Sequence, residues 1–178
     1  MTRRKKKRDT VLIVDGYNII GDWPEVQKLK LMSLEVARRE LEERLEEYAA
    51  YMKWRIILVF DAHLQKGKEA VHKGSNIQVV YTREKETADE RIERLVQELK
   101  RRQTTIYVAT SDSVEQWVIF GQGALRKSAR ELQLELGQSK EEISGVLHRP
   151  QKKETTFRND RYPPDVMEAL EKIRRGLK

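Results

Sequence analysis

The sequence has no cysteine, and this absence excludes several kinds of chemistry at once. Among its 178 residues there is no thiol, so disulfides, thiolate zinc sites and cysteine nucleophiles are ruled out. The longest apolar runs have the length of strands, well short of the ~20 residues that a membrane-spanning helix needs. No apolar export segment follows Arg3 and Arg4. We therefore expect a cytoplasmic protein without a membrane partner.

Two motifs of phosphate chemistry are also missing. No Gly-x4-Gly-Lys-Ser/Thr loop is present, and we expect no small-molecule organic cofactor. Phosphatases of the haloacid-dehalogenase kind carry a second acid two residues after the nucleophilic aspartate. Asp15 is instead followed by Gly16 and Tyr17, which argues against that mechanism.

The net charge of +7 lies mostly in one place. Residues 3–8 carry six positive charges and Asp9 one negative charge, so this segment supplies five of the seven net charges. Such a run is either a solvated, disordered tail or an arm that binds a polyanion. In both cases it precedes the first strand and cannot form an active site.

Three hydrophobic strands each end on an aspartate. They run from Val11 to Asp15, from Ile56 to Asp61 and from Ile106 to Asp112. Strands and helices alternate, which predicts an α/β fold with a parallel sheet and helices on both faces. One aspartate after a strand is more often a helix cap or a loop residue. Three of them on parallel strands are expected to meet at one edge, where ligands bind.

Carboxylates gathered in one pocket need protons or a cation. At ~4 Å and an effective dielectric constant near 20, each like-charged pair costs roughly 4 kcal/mol. Asp89, in the first turn of a predicted helix, is a candidate fourth member. One or two Mg²⁺ or Mn²⁺ ions would take these oxygen ligands and activate water against a phosphate ester. The cluster predicts a metal-dependent phosphoryl-transfer enzyme or nuclease.

Apolar spacing and capping residues predict where the helices lie. Leu34 to Met52 repeats apolar residues every three or four positions, and Thr87 with Glu90 forms a capping box for a second helix. Two further capping boxes, Ser113 with Gln116 and Ser128 with Glu131, predict two more helices, the last ending near Gly137. Between these elements we expect loops at residues 16–32 and 62–76, and a strand at residues 77–81.

The composition also predicts a division of the chain. We expect a basic, disordered tail in residues 1–9 and one α/β domain in residues 10–147. A basic linker in residues 148–162 and a C-terminal helix in residues 163–178 are expected to follow.

Several segments together resemble the motifs of NYN-domain ribonucleases, which belong to the PIN-like nucleases. These are Val14-Asp15-Gly16-Tyr17-Asn18, Val59-Phe60-Asp61-Ala62-His63, Glu86-Thr87-Ala88-Asp89-Glu90-Arg91 and Ala109-Thr110-Ser111-Asp112. The run from Trp117 to Glu131 is similar to the bacterial YacP-like branch. The resemblance covers roughly residues 10–137. It implies a PIN-like, Rossmann-like sandwich and a metal-dependent endoribonuclease, from a family linked to the ribosome and to mRNA turnover.

The resemblance also implies roles for individual residues. Asp15, Asp89 and Asp112 would bind the metal, with Asp61 as an outer or water-mediated ligand. Asn18 would steady a ligand or contact the phosphate, although a simple turn residue is the alternative.

RNA binding would draw on cationic contacts to phosphates and on stacking of unpaired bases. Tyr17, beside Asp15, is the candidate for stacking, and Ser111 could position a water or a phosphate oxygen. For any single basic residue the alternative is a solvated surface position. The candidate cations are Lys66, Lys68, His72 and Lys73 on the loop after Asp61, and Arg126, Lys127 and Arg130 after a Gly-rich turn.

Two other functions stay open from the sequence. A structure-specific DNA nuclease would have a similar architecture, and only the branch-level resemblance favours RNA. A non-catalytic module that binds RNA or the ribosome would use the basic tail and linker, with the acids in a structural role.

Overall fold

A computed structural model describes residues 9–62, 71–73, 76–112 and 121–147. The chain divides into two units, residues 1–143 and residues 144–178. Of the second unit only residues 144–147, the end of a helix, are described. Of the predicted tail in residues 1–9, only Asp9 is described, and it is the first residue of a strand instead of part of a tail. Residues 1–8, the predicted linker and the predicted C-terminal helix lie outside the described residues.

A sheet forms the centre of the first unit. Its strands in the described residues are β1 (Asp9–Asp15), β2 (Arg55–Phe60), β3 (Val71–Lys73), β4 (Ile77–Tyr81), β5 (Thr104–Ala109) and β6 (Leu125–Lys127). They lie in the order β3-β4-β2-β1-β5-β6. Five strands are parallel, and β3 pairs antiparallel with β4 at one edge. The predicted α/β fold is confirmed.

The carboxyl end of β1 lies where the strand order reverses. From β1 the chain proceeds to β2 and β4 on one side of the sheet and later returns to β5 and β6 on the other. Open α/β sheets bind ligands at such a point. Asp15 is the last residue of β1, Asp61 directly follows β2, and Asp112 comes three residues after β5. The topology therefore directs all three strand-end aspartates to one edge.

Helices cover both faces of the sheet. The described helices are α1 (Gly16–Asp22), α2 (Pro24–Met32), α3 (Leu34–Met52), α4 (Ala88–Leu99) and α5 (Ala129–Leu147). Alternate residues of β1 face opposite sides: Leu12 and Val14 pack with α1, α2, α3 and α5, while Val11 and Ile13 pack with α4. None of these described helices is long and apolar enough to cross a membrane.

The expected loop at residues 16–32 is wrong, because it holds the two helices α1 and α2. Of its two glycines and one proline, Gly16 and Pro24 stand at helix starts, and Gly21 lies in the last turn of α1. Gly16 is the first residue of α1, and Pro24 opens α2, where its fixed φ suits the first turn and its missing N–H costs nothing. Ile19, Ile20 and Trp23 are buried against the sheet. Tertiary packing therefore stabilises helices that are too short to persist alone.

Two further expectations are corrected, and two of the candidate cations are placed in a strand. The helix predicted to end near Gly137 continues to Leu147, with Gly137 and Gly145 inside it. His72 and Lys73 lie in the edge strand β3 instead of a loop. Arg126 and Lys127 lie in the strand β6, paired with β5. In each case pairing or packing with neighbouring elements outweighs the local tendency of glycine to break structure.

Two of the predicted capping boxes are confirmed. The Thr87 hydroxyl accepts from the Glu90 backbone N–H at 3.2 Å, and the Glu90 carboxylate accepts from the Thr87 N–H at 3.1 Å. Ser128 and Glu131 exchange the same pair of bonds at 3.2 and 2.7 Å. The third, at Ser113 and Gln116, lies outside the described residues. The first box places Asp89 in the opening turn of α4.

Gly16 is the position at which the backbone next to Asp15 tolerates no side chain. A Cβ atom there would overlap the ring of Phe60, which is 1% exposed. We expect Gly16→Ala to lower the free energy of unfolding by about 1–3 kcal/mol, the usual cost of overpacking a core. Gly137→Ala is the matched control, since a Cβ there meets nothing within 4 Å and alanine favours a helix by up to ~1 kcal/mol. Urea denaturation measures both. Equal stability of the two variants would contradict the expectation.

Candidate active site at the carboxyl edge of the sheet

Asp15 is the most deeply buried of the four acids. It ends β1 and caps the N-terminus of α1, where its Oδ1 accepts a hydrogen bond from the Asn18 backbone N–H at 3.2 Å. Aspartate is among the best residues for this capping position. Its side chain is nevertheless costly to keep here, because the residue is only 6% exposed and a buried carboxylate loses its hydration.

The four predicted acids share one electrostatic environment. Burial raises the pKa of Asp15 to about 6, the Asn18 N–H opposes this rise, and the charges of Asp89, Asp61 and Asp112 add to it. Partial loss of hydration raises the pKa of Asp89, and the charges of Asp112, Glu93, Asp61 and Glu90 raise it further. Residues that lie far apart in the sequence therefore repel one another at a single sheet edge.

The four acids differ in how far they are buried, and they do not enclose a common point. Asp15 is buried, Asp61 is half-buried, and Asp89 and Asp112 are exposed. Within the described residues, no three Asp, Glu or His side chains stand close enough together to hold a metal ion between them. The donor set is made of hard oxygens, which Mg²⁺ and Mn²⁺ prefer, and Mg²⁺ commonly keeps several waters while binding one or two carboxylates. The chemistry of these oxygen donors, rather than their spacing in this structure, fits such a partly hydrated ion.

Asn18 joins α1 to the segment after β5. Its Oδ1 accepts from the Ser111 backbone N–H at 2.9 Å and also from the Ser111 hydroxyl. Because a backbone N–H can only donate, this bond fixes the amide with Oδ1 towards Ser111 and its NH₂ group turned away. One residue further on, the Asp112 N–H donates to the Thr110 hydroxyl at 3.1 Å. These bonds position Asp112 relative to Asp15.

Asp61 is positioned by a threonine that the sequence did not single out. The Thr82 hydroxyl accepts from the Ala62 N–H at 2.9 Å, and the Thr82 N–H donates to the Phe60 carbonyl at 3.0 Å. Thr82 follows β4 and is buried. It therefore fastens the turn that carries Asp61 to the next strand.

Arg38 is the second residue missed from the sequence. It lies on α3, is 8% exposed, and donates from Nη1 to the Tyr17 hydroxyl at 3.1 Å. Leu34 and Leu41, on the apolar stripe of α3, are four and three residues away. A charged residue at that spacing must face inwards. This position on the stripe is the signal that could have identified it.

The candidate substrate cations fall into different environments. Arg126 and Arg130 are exposed. Lys127 is 8% exposed, and its Nζ pairs with Glu135 at 2.5 Å and lies 5.7 and 5.3 Å from the ring centroids of Trp54 and Tyr107. The structure therefore gives Lys127 a packing environment away from solvent. Lys66, Lys68 and the side chains of His72 and Lys73 lie outside the described part of the chain.

A parallel α/β sheet with acids at its topological switch point agrees with the PIN-like fold that the sequence motifs predict. Comparison with known proteins makes this specific, because the model of the YacP-like NYN domain matches residues 12–175. The chain belongs to this family. The match also extends beyond residue 137, where the recognised motifs end.

Relatives from Bacillus subtilis support the assignment. The uncharacterized protein YacP of strain 168 is 48% identical over 169 residues, covering 93% of this chain and 97% of that protein. The crystal structure of Rae1 (YacP) has a TM-score of 0.70 at 45% identity, covering 93% of this chain and 95% of that one. A mutant form of it has a TM-score of 0.72 at 43% identity, covering 94% and 96%.

We expect Asp15→Asn to stabilise the metal-free protein at neutral pH. The folded pKa of about 6 lies above the ordinary 3.8, so the native state keeps this proton to a higher pH than the unfolded chain does. Stability therefore falls as the pH rises between these values, and asparagine, which still caps α1, removes the loss. The gain should be about 1–3 kcal/mol above pH ~6 and vanish below pH ~4.

Urea denaturation at pH 4, 6 and 8 in EDTA measures this effect, with the exposed Asp22→Asn as a control on the same helix. Adding Mn²⁺ should then raise the melting temperature of the natural protein and of Asp22→Asn more than that of Asp15→Asn. A gain in stability from Asp15→Asn that is the same at all three pH values would show that the raised pKa of Asp15 is not its cause.

Proposed function

We propose that this protein is a metal-dependent endoribonuclease that hydrolyses phosphodiester bonds in mRNA, in association with the ribosome and in the cytoplasm. The observation that carries the proposal is the electrostatic coupling of Asp15 with Asp89, Asp61 and Asp112. Membership of the YacP-like NYN family supports it, since this is a family of nuclease-like domains.

The acids supply the binding site in this proposal. Asp15, Asp89 and Asp112 would hold one or two Mg²⁺ or Mn²⁺ ions, with Asp61 acting through water. Such ions activate a water and stabilise the leaving oxygen of a phosphodiester. The protein needs no nucleophile of its own. Burial of Asp15 strengthens its preference for a cation, because repulsion that is unrelieved in the free protein is relieved on binding.

Neighbouring polar groups would orient the RNA. The Asn18 amide, fixed by Ser111, turns its NH₂ group away from that bond, so it can donate to a phosphate oxygen. The exposed Arg126 and Arg130 can contact phosphates further along the strand, as their long cationic side chains require no burial for this.

Cleavage of one labelled mRNA with Mg²⁺ or Mn²⁺ tests the proposal, both on naked RNA and during translation. We expect Asp15→Asn to lower the cleavage rate by at least about 100-fold, as loss of a principal charge-stabilising group commonly does. Asp22→Asn should cleave at the natural rate, because Asp22 is exposed and belongs to no part of the acid cluster.

The outcomes separate the alternatives. Cleavage only during translation supports a ribosome-dependent enzyme, and cleavage of naked RNA supports a self-sufficient one. Retained binding with no cleavage under any metal would favour the non-catalytic module. Equal or faster cutting of a matched structured DNA would favour the DNA nuclease.

The basic segment before β1 has its own test. We expect deletion of residues 2–8 to weaken RNA or ribosome binding at low salt, and to reduce the slope of log K against log salt by about 0.7 per lost contact to single-stranded phosphate. Asp9 is retained, since it is the first residue of β1. Replacing the six cations by glutamine is the matched control and should have the same effect. Unchanged low-salt affinity in both variants would exclude the arm.

A further inference from the structure

We propose that Tyr17, Tyr81 and Arg38 form a subsite that binds one unpaired base of single-stranded RNA beside the acid cluster. The inference rests on the proposed function for its choice of substrate. It assigns a role to Arg38 and Tyr81, which no sequence motif marks.

The first support is a row of three aromatic rings. The ring centroids of Tyr17 and Phe60 are 5.0 Å apart at an interplanar angle of 53°, and those of Phe60 and Tyr81 are 5.6 Å apart at 25°. Phe60 is buried, while Tyr17 and Tyr81 are half-buried. Phe60 thus forms a rigid base, and the two tyrosines on it keep part of their surface towards solvent.

Arg38 holds this row in place. Its Nη1 donates to the Tyr17 hydroxyl at 3.1 Å, and its guanidinium carbon lies 5.9 Å from the Tyr81 ring centroid. Burying a guanidinium is costly without such contacts. Because arginine only donates, the Tyr17 oxygen is the acceptor and its own proton is directed away from Arg38. Arg38 is accordingly a positioning residue for both tyrosines.

The row lies next to the acids. Tyr17 is two residues from Asp15, and Phe60 directly precedes Asp61. Tyr81 is the last residue of β4 and is paired in register with Phe60. All three rings therefore stand at the carboxyl edge of the sheet: Tyr17 in the helix that follows β1, Phe60 at the end of β2, and Tyr81 at the end of β4. A nucleotide whose phosphate lies at Asp15 would have its own or its neighbour's base within reach of Tyr17.

The chemistry favours an unpaired base. Single-stranded nucleic acid is bound by stacking on aromatic rings, which tolerate any base, and guanidinium groups reinforce such platforms. In a duplex the base faces are covered by their neighbours. The subsite would therefore select single-stranded RNA at the position next to the bond that is cut.

Binding of uncut RNA tests the subsite. The full chain carrying Asp15→Asn is titrated, in EDTA, with fluorescein-labelled single-stranded decamers, and Kd is read from anisotropy. One decamer is intact, and ten others each carry a single abasic ribonucleotide at a different position. We expect an abasic site at one of the ten positions to weaken binding by about 5- to 100-fold, which is the effect of losing one stacked base.

Variants then locate the contact. Tyr81→Leu and Tyr17→Ala should weaken binding of the intact decamer by a similar factor and have little effect on the decamer abasic at the sensitive position. Arg38→Gln should also weaken binding of the intact decamer more than that of the decamer abasic at the sensitive position, but by a smaller factor. Arg38→Lys should lose less affinity than Arg38→Gln. Tyr51→Leu, at a tyrosine that is 40% exposed near the far end of α3, is the matched control for loss of a ring and should bind as its parent does.

Each outcome decides one point. If Tyr81→Leu and Tyr17→Ala weaken the intact and abasic decamers equally, while melting temperatures match that of Tyr51→Leu, the subsite is wrong and the rings only pack. Absence of any RNA binding also overturns it. A natural protein that never cleaves, but shows the base-dependent coupling, would overturn the ribonuclease and leave the subsite standing.

Discussion

Burial of Asp15 beside other carboxylates is the constraint on which the rest of the structure depends. A carboxyl group that is 6% exposed, with its pKa raised to about 6, would move into solvent if its surroundings allowed it. They do not, because Asp15 ends the central strand and also caps α1. The chain on either side of it is held by the sheet and by a buried helix. The fold thereby keeps charge where charge is unfavourable, and this is the condition for binding a cation.

The sheet topology concentrates that charge. Reversal of the strand order at β1 brings the ends of β2 and β5 to either side of Asp15. Short polar links then fix the turns: Asn18 with Ser111 on one side, and Thr82 with Ala62 on the other. Neither link buries much surface. Their importance is geometric, because they limit how far Asp112 and Asp61 can retreat from the repulsion.

The parts of this site that the sequence could predict are those with a local signal. Strand-end aspartates, the capping box before Asp89 and the apolar stripe of α3 are each visible within a few residues, and they led to the correct fold. The helices α1 and α2 were missed because their stability comes from contacts of Ile19, Ile20 and Trp23 with distant strands. Thr82 was missed for the same reason, since its partner lies 20 residues away.

Two adjacent cations show most clearly what the sequence alone cannot predict. The sequence predicts Arg126 and Lys127 as neighbouring phosphate contacts after a Gly-rich turn, but both lie in β6, where successive side chains face opposite sides of the sheet. Lys127 pairs in register with Ala109, on the face covered by α3 and α5, and its charge is matched by Glu135. Arg126 pairs with Val108, on the α4 face, and is exposed. Two residues that are adjacent in the sequence therefore lie in different environments on opposite faces of the sheet. Of the two, Arg126 is the exposed residue, and the phosphate contact proposed above therefore rests on Arg126 rather than on Lys127.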